Sequence, residues 1–185
     1  MDKGYLLILI GAIFAINVRI PMPFAILYWW TRLTFWGFIL ISFGMRQIQG
    51  AEKELRYAQI FTFLSLIVRI GLPWIPNLFP MIDGVLSLAL NLLLIICPLA
   101  IFFWFFKSEY LWTPANDKRI DWYIYSAIAL FYLIVNVVFM FPMMMRIVPV
   151  NIVPTLLNLR QFLNLLYNIV LVGLLMKLYL AARKL

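Results

Sequence analysis

Residues 84–106 read GVLSLALNLLLIICPLAIFFWFF, and residues 122–145 read WYIYSAIALFYLIVNVVFMFPMMM. These runs hold 23 and 24 residues without a charged side chain. At about 1.5 Å of helical rise per residue, each reaches across a hydrocarbon core of about 30 Å. Both are apolar on every side, whereas β-barrel strands alternate apolar and polar residues over about ten positions, so helices are predicted. The whole chain agrees: it is 66% hydrophobic and 12% charged with a mean hydropathy of +1.01, outside the range of soluble domains. Lipid is its expected solvent.

Outward from these runs the chain carries one phrase three times. Val18-Arg19-Ile20 precedes Pro21 and Pro23, Val68-Arg69-Ile70 precedes Pro73, Pro76 and Pro80, and Met145-Arg146-Ile147 precedes Pro149 and Pro154. Proline disfavours helix in the residue before it but suits the first turn of a new helix, so each copy reads as helix, turn, helix. The expectation is an all-α, polytopic bundle forming a single transmembrane domain over 1–185, with six membrane helices arranged as three hairpins. Their approximate bounds are 4–20, 23–45, 56–71, 81–106, 121–145 and 153–182. Tyr5–Val18 follows a basic start but no small-x-small cleavage site, which makes it an uncleaved first helix rather than a signal peptide.

Three hairpins place the Arg-Ile turns on one face of the membrane and the termini with loops 46–56 and 107–121 on the other. The second face carries ten basic residues (Lys3, Arg46, Lys53, Arg56, Lys107, Lys118, Arg119, Lys177, Arg183 and Lys184) against three at the turns (Arg19, Arg69 and Arg146). The positive-inside rule then predicts cytoplasmic N and C termini. The formal charge of +8 is read as contact with anionic lipids on the cytoplasmic side, not with nucleic acid.

Several chemistries are not expected. Histidine is absent and Cys97 is the single cysteine, which removes the usual general base and the common metal ligand sets. No nucleophilic triad, paired-carboxylate, phosphate-loop or dinucleotide pattern occurs, and Gly37 and Gly44 lack GxGxxG spacing. The chain is not expected to be an enzyme or to need a cofactor. Met143–Met145 reads as an adaptable helix end, not as a metal site.

The informative residues are charges inside helices. Counting 13 or 14 positions from each turn arginine gives Arg32, Asp83 and Arg160, a turn or two inside helices two, four and six. Intramembrane charges are costly unless paired and mark binding sites or pathways. Polar residues continue at spacings of four as Asp83, Ser87 and Asn91 on helix four and as Arg160, Asn164 and Asn168 on helix six, so each set lies on one face. Helix three adds Thr62, Ser65 and Arg69, helix five adds Tyr125, Tyr132 and Asn136, and helix one adds Asn17. The stripes are expected to converge, with Asp83 pairing first with Arg160 and second with Arg32.

Two functional readings of this constellation stay open, beside the plainer one in which the arginines only snorkel to the membrane surface. In one, Arg32, Asp83, Ser87, Asn91, Arg160, Asn164 and Asn168 line an outward-facing polar site for an anionic or zwitterionic solute or a lipid headgroup, in a membrane-embedded binding or transport component. In the other, the stripes are interhelical glue in a structural or regulatory membrane subunit without a small-molecule ligand.

Residues 5–67 resemble a group of uncharacterised six-helix membrane proteins of Gram-positive bacteria. The resemblance is carried by Asn17-Val18-Arg19-Ile20, by Gly37-Phe38-Ile39-Leu40-Ile41-Ser42-Phe43-Gly44-Met45 and by Arg56-Tyr57-Ala58. That group has an acidic, proline-containing stretch after the first turn where this chain has Phe24–Trp30. Arg19-Ile20-Pro21-Met22-Pro23-Phe24 and Gly71-Leu72-Pro73 are similar to turns in the substrate-binding membrane subunits of energy-coupling-factor vitamin transporters. That similarity implies six helices, a binding role and a possible partner membrane subunit.

Overall fold

The computed structural model describes residues 2–15, 33–71, 83–113, 115–144 and 152–183; within these, the side chains at 2, 70, 71, 83–88, 91, 139–144 and 157 lie outside the description. The described elements are six α-helices: α1 Asp2–Ala15, α2 Leu33–Gln47, α3 Glu52–Gly71, α4 Asp83–Trp112, α5 Asn116–Met144 and α6 Val153–Arg183. No strand occurs among the described residues. Among the described residues, three segments are long and apolar enough to cross a membrane, namely Leu92–Trp112, Asn116–Val138 and Val153–Arg183, while Lys3–Ala15 is a shorter apolar helix. The three Arg-Ile-Pro turns lie largely outside the described residues, as does Asn17.

Each helix packs on the next in the chain, and α6 packs back on α1, so the six close into a ring. The interior is filled by side chains from every helix, with Ile8, Phe38, Ile41, Ala58, Ile101, Phe105, Tyr125 and Leu175 among the most buried. Many large apolar residues face outward instead, including Phe63, Ile67, Phe131, Phe162, Leu165 and Ile169. In water such a surface would be an aggregation hazard, and in lipid it is the ordinary exterior.

The pairing of α1 with α2 is set by glycine. A Cβ on Gly11 would stand 2.6 Å from the carbonyl oxygen of Gly37, and one on Gly37 would stand 2.5 Å from that of Gly11. Seven residues along each helix the contact recurs between Gly4 and Gly44, at 2.9 and 2.6 Å. Backbone meets backbone, which small residues permit and which replaces the hydrophobic drive that lipid cannot supply between helices. Seven residues are nearly two turns, so each glycine pair lies on one face. In the sequence Gly37 and Gly44 carry no packing signal; their role in the structure is packing.

Helix ends differ from expectation around residues 107–121. The helix predicted to stop near Phe106 continues to Trp112, and the next begins at Asn116 rather than near 121. The turn between them is therefore short, closed by Thr113 N–H donating to the Glu109 carbonyl at 3.2 Å and by Arg119 N–H donating to the Ala115 carbonyl at 3.1 Å. The extension holds because its polar residues find partners. Glu109 is 1% exposed and Asp121 3% exposed, although both stand in what reads as a cytoplasmic loop. Glu109 accepts from the Tyr5 hydroxyl at 2.7 Å and from Lys118 at 3.0 Å, while Asp121 accepts from Lys177 at 2.7 and 2.9 Å. These bonds gather the start of α1, the α4–α5 turn and the end of α6 at one end of the bundle. The 48–51 turn joins them there, since Ser108 Oγ donates to the Ala51 carbonyl at 3.3 Å.

Candidate functional site

The antiparallel interface of α5 and α6 carries a polar seam. On α5 the residues are Asp121, Tyr125, Tyr132 and Asn136, whose steps of four, seven and four keep one helical face. Facing them on α6 stand Lys177, Tyr167 and Arg160, in reverse order. The Asp121–Lys177 ion pair closes one end. Between Asp121 and Asn136 the helix rises about 22 Å, most of a hydrocarbon core.

In the middle, the Tyr125 hydroxyl donates to the Leu99 carbonyl of α4 at 3.0 Å and lies 2.9 Å from the Tyr167 hydroxyl. One hydroxyl has one proton, so Tyr167 is the donor to Tyr125. Tyr167 also stacks on Tyr132, ring centroids 4.6 Å apart. Three helices are thus joined through two tyrosines, both buried.

The far end carries the charge. Arg160 Nε donates to Asn136 Oδ1 at 2.9 Å, and Asn136 Nδ2 donates to the Tyr132 carbonyl at 2.9 Å. Asn136 is fully buried, so both halves of its amide are used in an environment where unmet polar groups are costly. One turn further along α6, Asn164 Oδ1 is buried and accepts no hydrogen bond among the described residues. Asn168 follows, partly exposed. An arginine with N–H donors beyond the one used, next to a buried acceptor without a donor, can take a group that carries both an anion and an N–H or O–H.

Of the seven residues expected at a site, Arg160, Asn164 and Asn168 stand on α6 at or beside this seam. Arg32 lies outside the described residues. Asp83, Ser87 and Asn91 belong to α4, with side chains outside the description, so the expected Asp83–Arg160 pairing lies outside it too. The observed partner of Arg160 is Asn136. On α3, Thr62 Oγ1 donates to the Ala58 carbonyl at 2.8 Å, an intrahelical bond, while Arg69 sits 5.0 Å over the Phe38 ring of α2. Sequence reasoning missed Tyr167, Glu109 and the Asp121–Lys177 pair. The first was hidden in a stripe defined by amides, although it lies seven residues after Arg160 on the same face. Asp121 was readable as the continuation of the Tyr125–Asn136 stripe one turn outward.

No protein-family model, curated protein or solved structure matches this chain. The site therefore rests on the chemistry of its own side chains.

Proposed function

We propose that this chain is a membrane-embedded binding or transport component, not an enzyme, spanning the bacterial cell membrane six times with both termini cytoplasmic. Its ligand is an anionic or zwitterionic solute or lipid headgroup, taken at the outward end of the α5–α6 seam. The observation that carries this reading is the Asn164 Oδ1, buried and without a donor among the described residues, one helical turn along α6 from Arg160. Buried polar groups are as a rule satisfied, and one that is not, beside a charge in an apolar bundle, points to a missing partner. The similarity of the Arg19–Phe24 turn to those of transporter substrate-binding subunits points the same way and suggests a partner membrane subunit.

A structural or regulatory subunit without a ligand is the second reading. It is favoured by how much of the seam closes on itself, at Tyr125–Tyr167 and at Asp121–Lys177. Mass spectrometry of small molecules retained through gentle purification separates the two. A binding component yields a bound anion that Arg160→Gln or Asn164→Leu removes. A purely structural seam yields none, and there Asn164→Leu raises thermal stability with no other effect, because it removes an unsatisfied buried acceptor.

A further inference from the structure

Away from the seam, α2 and α3 enclose an open groove of about 380 Å³ whose walls include Ile60, Phe63 and Ile67 and whose end carries Arg46 and Arg56. Steps of four, three and four from Arg56 through Ile60 and Phe63 to Ile67 put an apolar strip directly below one arginine along a single helix face. All three apolar residues are more than half exposed. Both arginines are exposed, and neither has a hydrogen-bond or ion-pair partner among the described residues. Arg46, in the last turn of α2, suits the negative end of that helix dipole. Arg56 does not: it lies just past the first turn of α3, near the positive end, where a cation is disfavoured. Glu52 and Lys53, in the turn before Arg56, are both exposed and offset each other, and Glu54, the other acid of that turn, is two residues or about 200° round the helix from Arg56, which leaves the two guanidinium groups on the face over the apolar channel.

We propose that this groove holds one anionic phospholipid, with its phosphate between Arg46 and Arg56 and an acyl chain along Ile60, Phe63 and Ile67. Guanidinium groups grip phosphate through paired N–H donors, and a second positive charge selects an anionic headgroup over a zwitterionic one by repelling the latter's ammonium. The apolar walls select a lipid over a free anion. The site lies at the bundle end that also holds the α4–α5 turn and the start of α1, and it is separate from the α5–α6 seam, so it stands whether or not the seam binds a ligand.

Native mass spectrometry of the purified chain, reconstituted with equal amounts of phosphatidylglycerol and phosphatidylcholine of the same acyl chains, tests it. Two arginines near an anionic headgroup imply a preference for phosphatidylglycerol of roughly 30-fold. The double change Arg46→Gln with Arg56→Gln should abolish that preference, and Phe63→Ala, which shortens a groove wall while keeping both charges, should lower retention. Arg119→Gln with Arg183→Gln, which removes the same net charge elsewhere, should leave retention unchanged. Glycerol 3-phosphate at millimolar concentration should not displace the lipid. The proposal is overturned if wild type shows no preference, if the charge-matched control loses as much as the Arg46/Arg56 variant, or if the soluble phosphate competes.

Discussion

Arg160 and Asn136 each hold the other in place. The guanidinium takes one donor bond to a carboxamide that is itself anchored to the Tyr132 carbonyl, so removing either side leaves a polar group stranded in an apolar interface. Arg160→Leu or Asn136→Leu alone is expected to destabilise the protein by about 1–2 kcal/mol, with the double variant recovering part of the loss. A double-mutant cycle on thermal unfolding in detergent checks this, and strictly additive losses would mean that the two residues do not interact. Tyr167→Phe isolates the hydroxyl, since the ring keeps its stack on Tyr132 while the bond to Tyr125 is lost. A loss of about 1 kcal/mol is expected, read as a lowered melting temperature.

At the scale of the element, glycine decides which helices approach closely. Gly37→Ala forces a methyl group within 2.5 Å of a backbone oxygen, and backbone cannot rotate away as a side chain does. The expected cost is about 1–3 kcal/mol, the range for overpacked contacts. Gly173 on α6 is the contrast, with nothing within 4 Å of its would-be Cβ, so Gly173→Ala should gain about 0.5–1 kcal/mol from helix propensity. Melting temperatures of the two variants should move in opposite directions.

What the sequence makes legible at this scale follows from periodicity. Charge-free runs locate α4 and α5, and helical spacing places Tyr125, Tyr132 and Asn136 on one face and Arg160 and Asn164 on another, with Arg160 and Asn136 meeting between them; the proline turns lie largely outside the described residues. The Gly4, Gly11, Gly37 and Gly44 contacts are not legible, because close approach is a property of two helices and a single chain reveals only one at a time. Glu109 and Asp121 are misread for a related reason. Charge beside an apolar run looks solvated until Tyr5 and Lys177, distant in sequence, and Lys118, across the short α4–α5 turn, arrive to bury it.

For the molecule as a whole, the ring is cross-tied at one end by Tyr5 to Glu109, Ser108 to Ala51, and Lys177 to Asp121. Glu109 is the most connected, joining α1, α4 and α5. Glu109→Ala unties α1 by stranding the Tyr5 hydroxyl and leaves Lys118, a quarter exposed, with only Thr113, so the expected loss is about 1–3 kcal/mol, below that of a fully buried pair. Chemical denaturation of the reconstituted protein measures it.

The proposed crossing of the membrane as three hairpins, with both termini on the cytoplasmic side, underlies the binding reading. Single cysteines placed at Asn77, Asn116 and Val150, in a background where Cys97 is replaced by alanine, test this directly in intact cells. Membrane-impermeant thiol reagent should block positions 77 and 150 and leave 116 free until a permeant reagent is added. Blocking of 116 from outside, or 77 and 150 reacting from opposite sides, would contradict it.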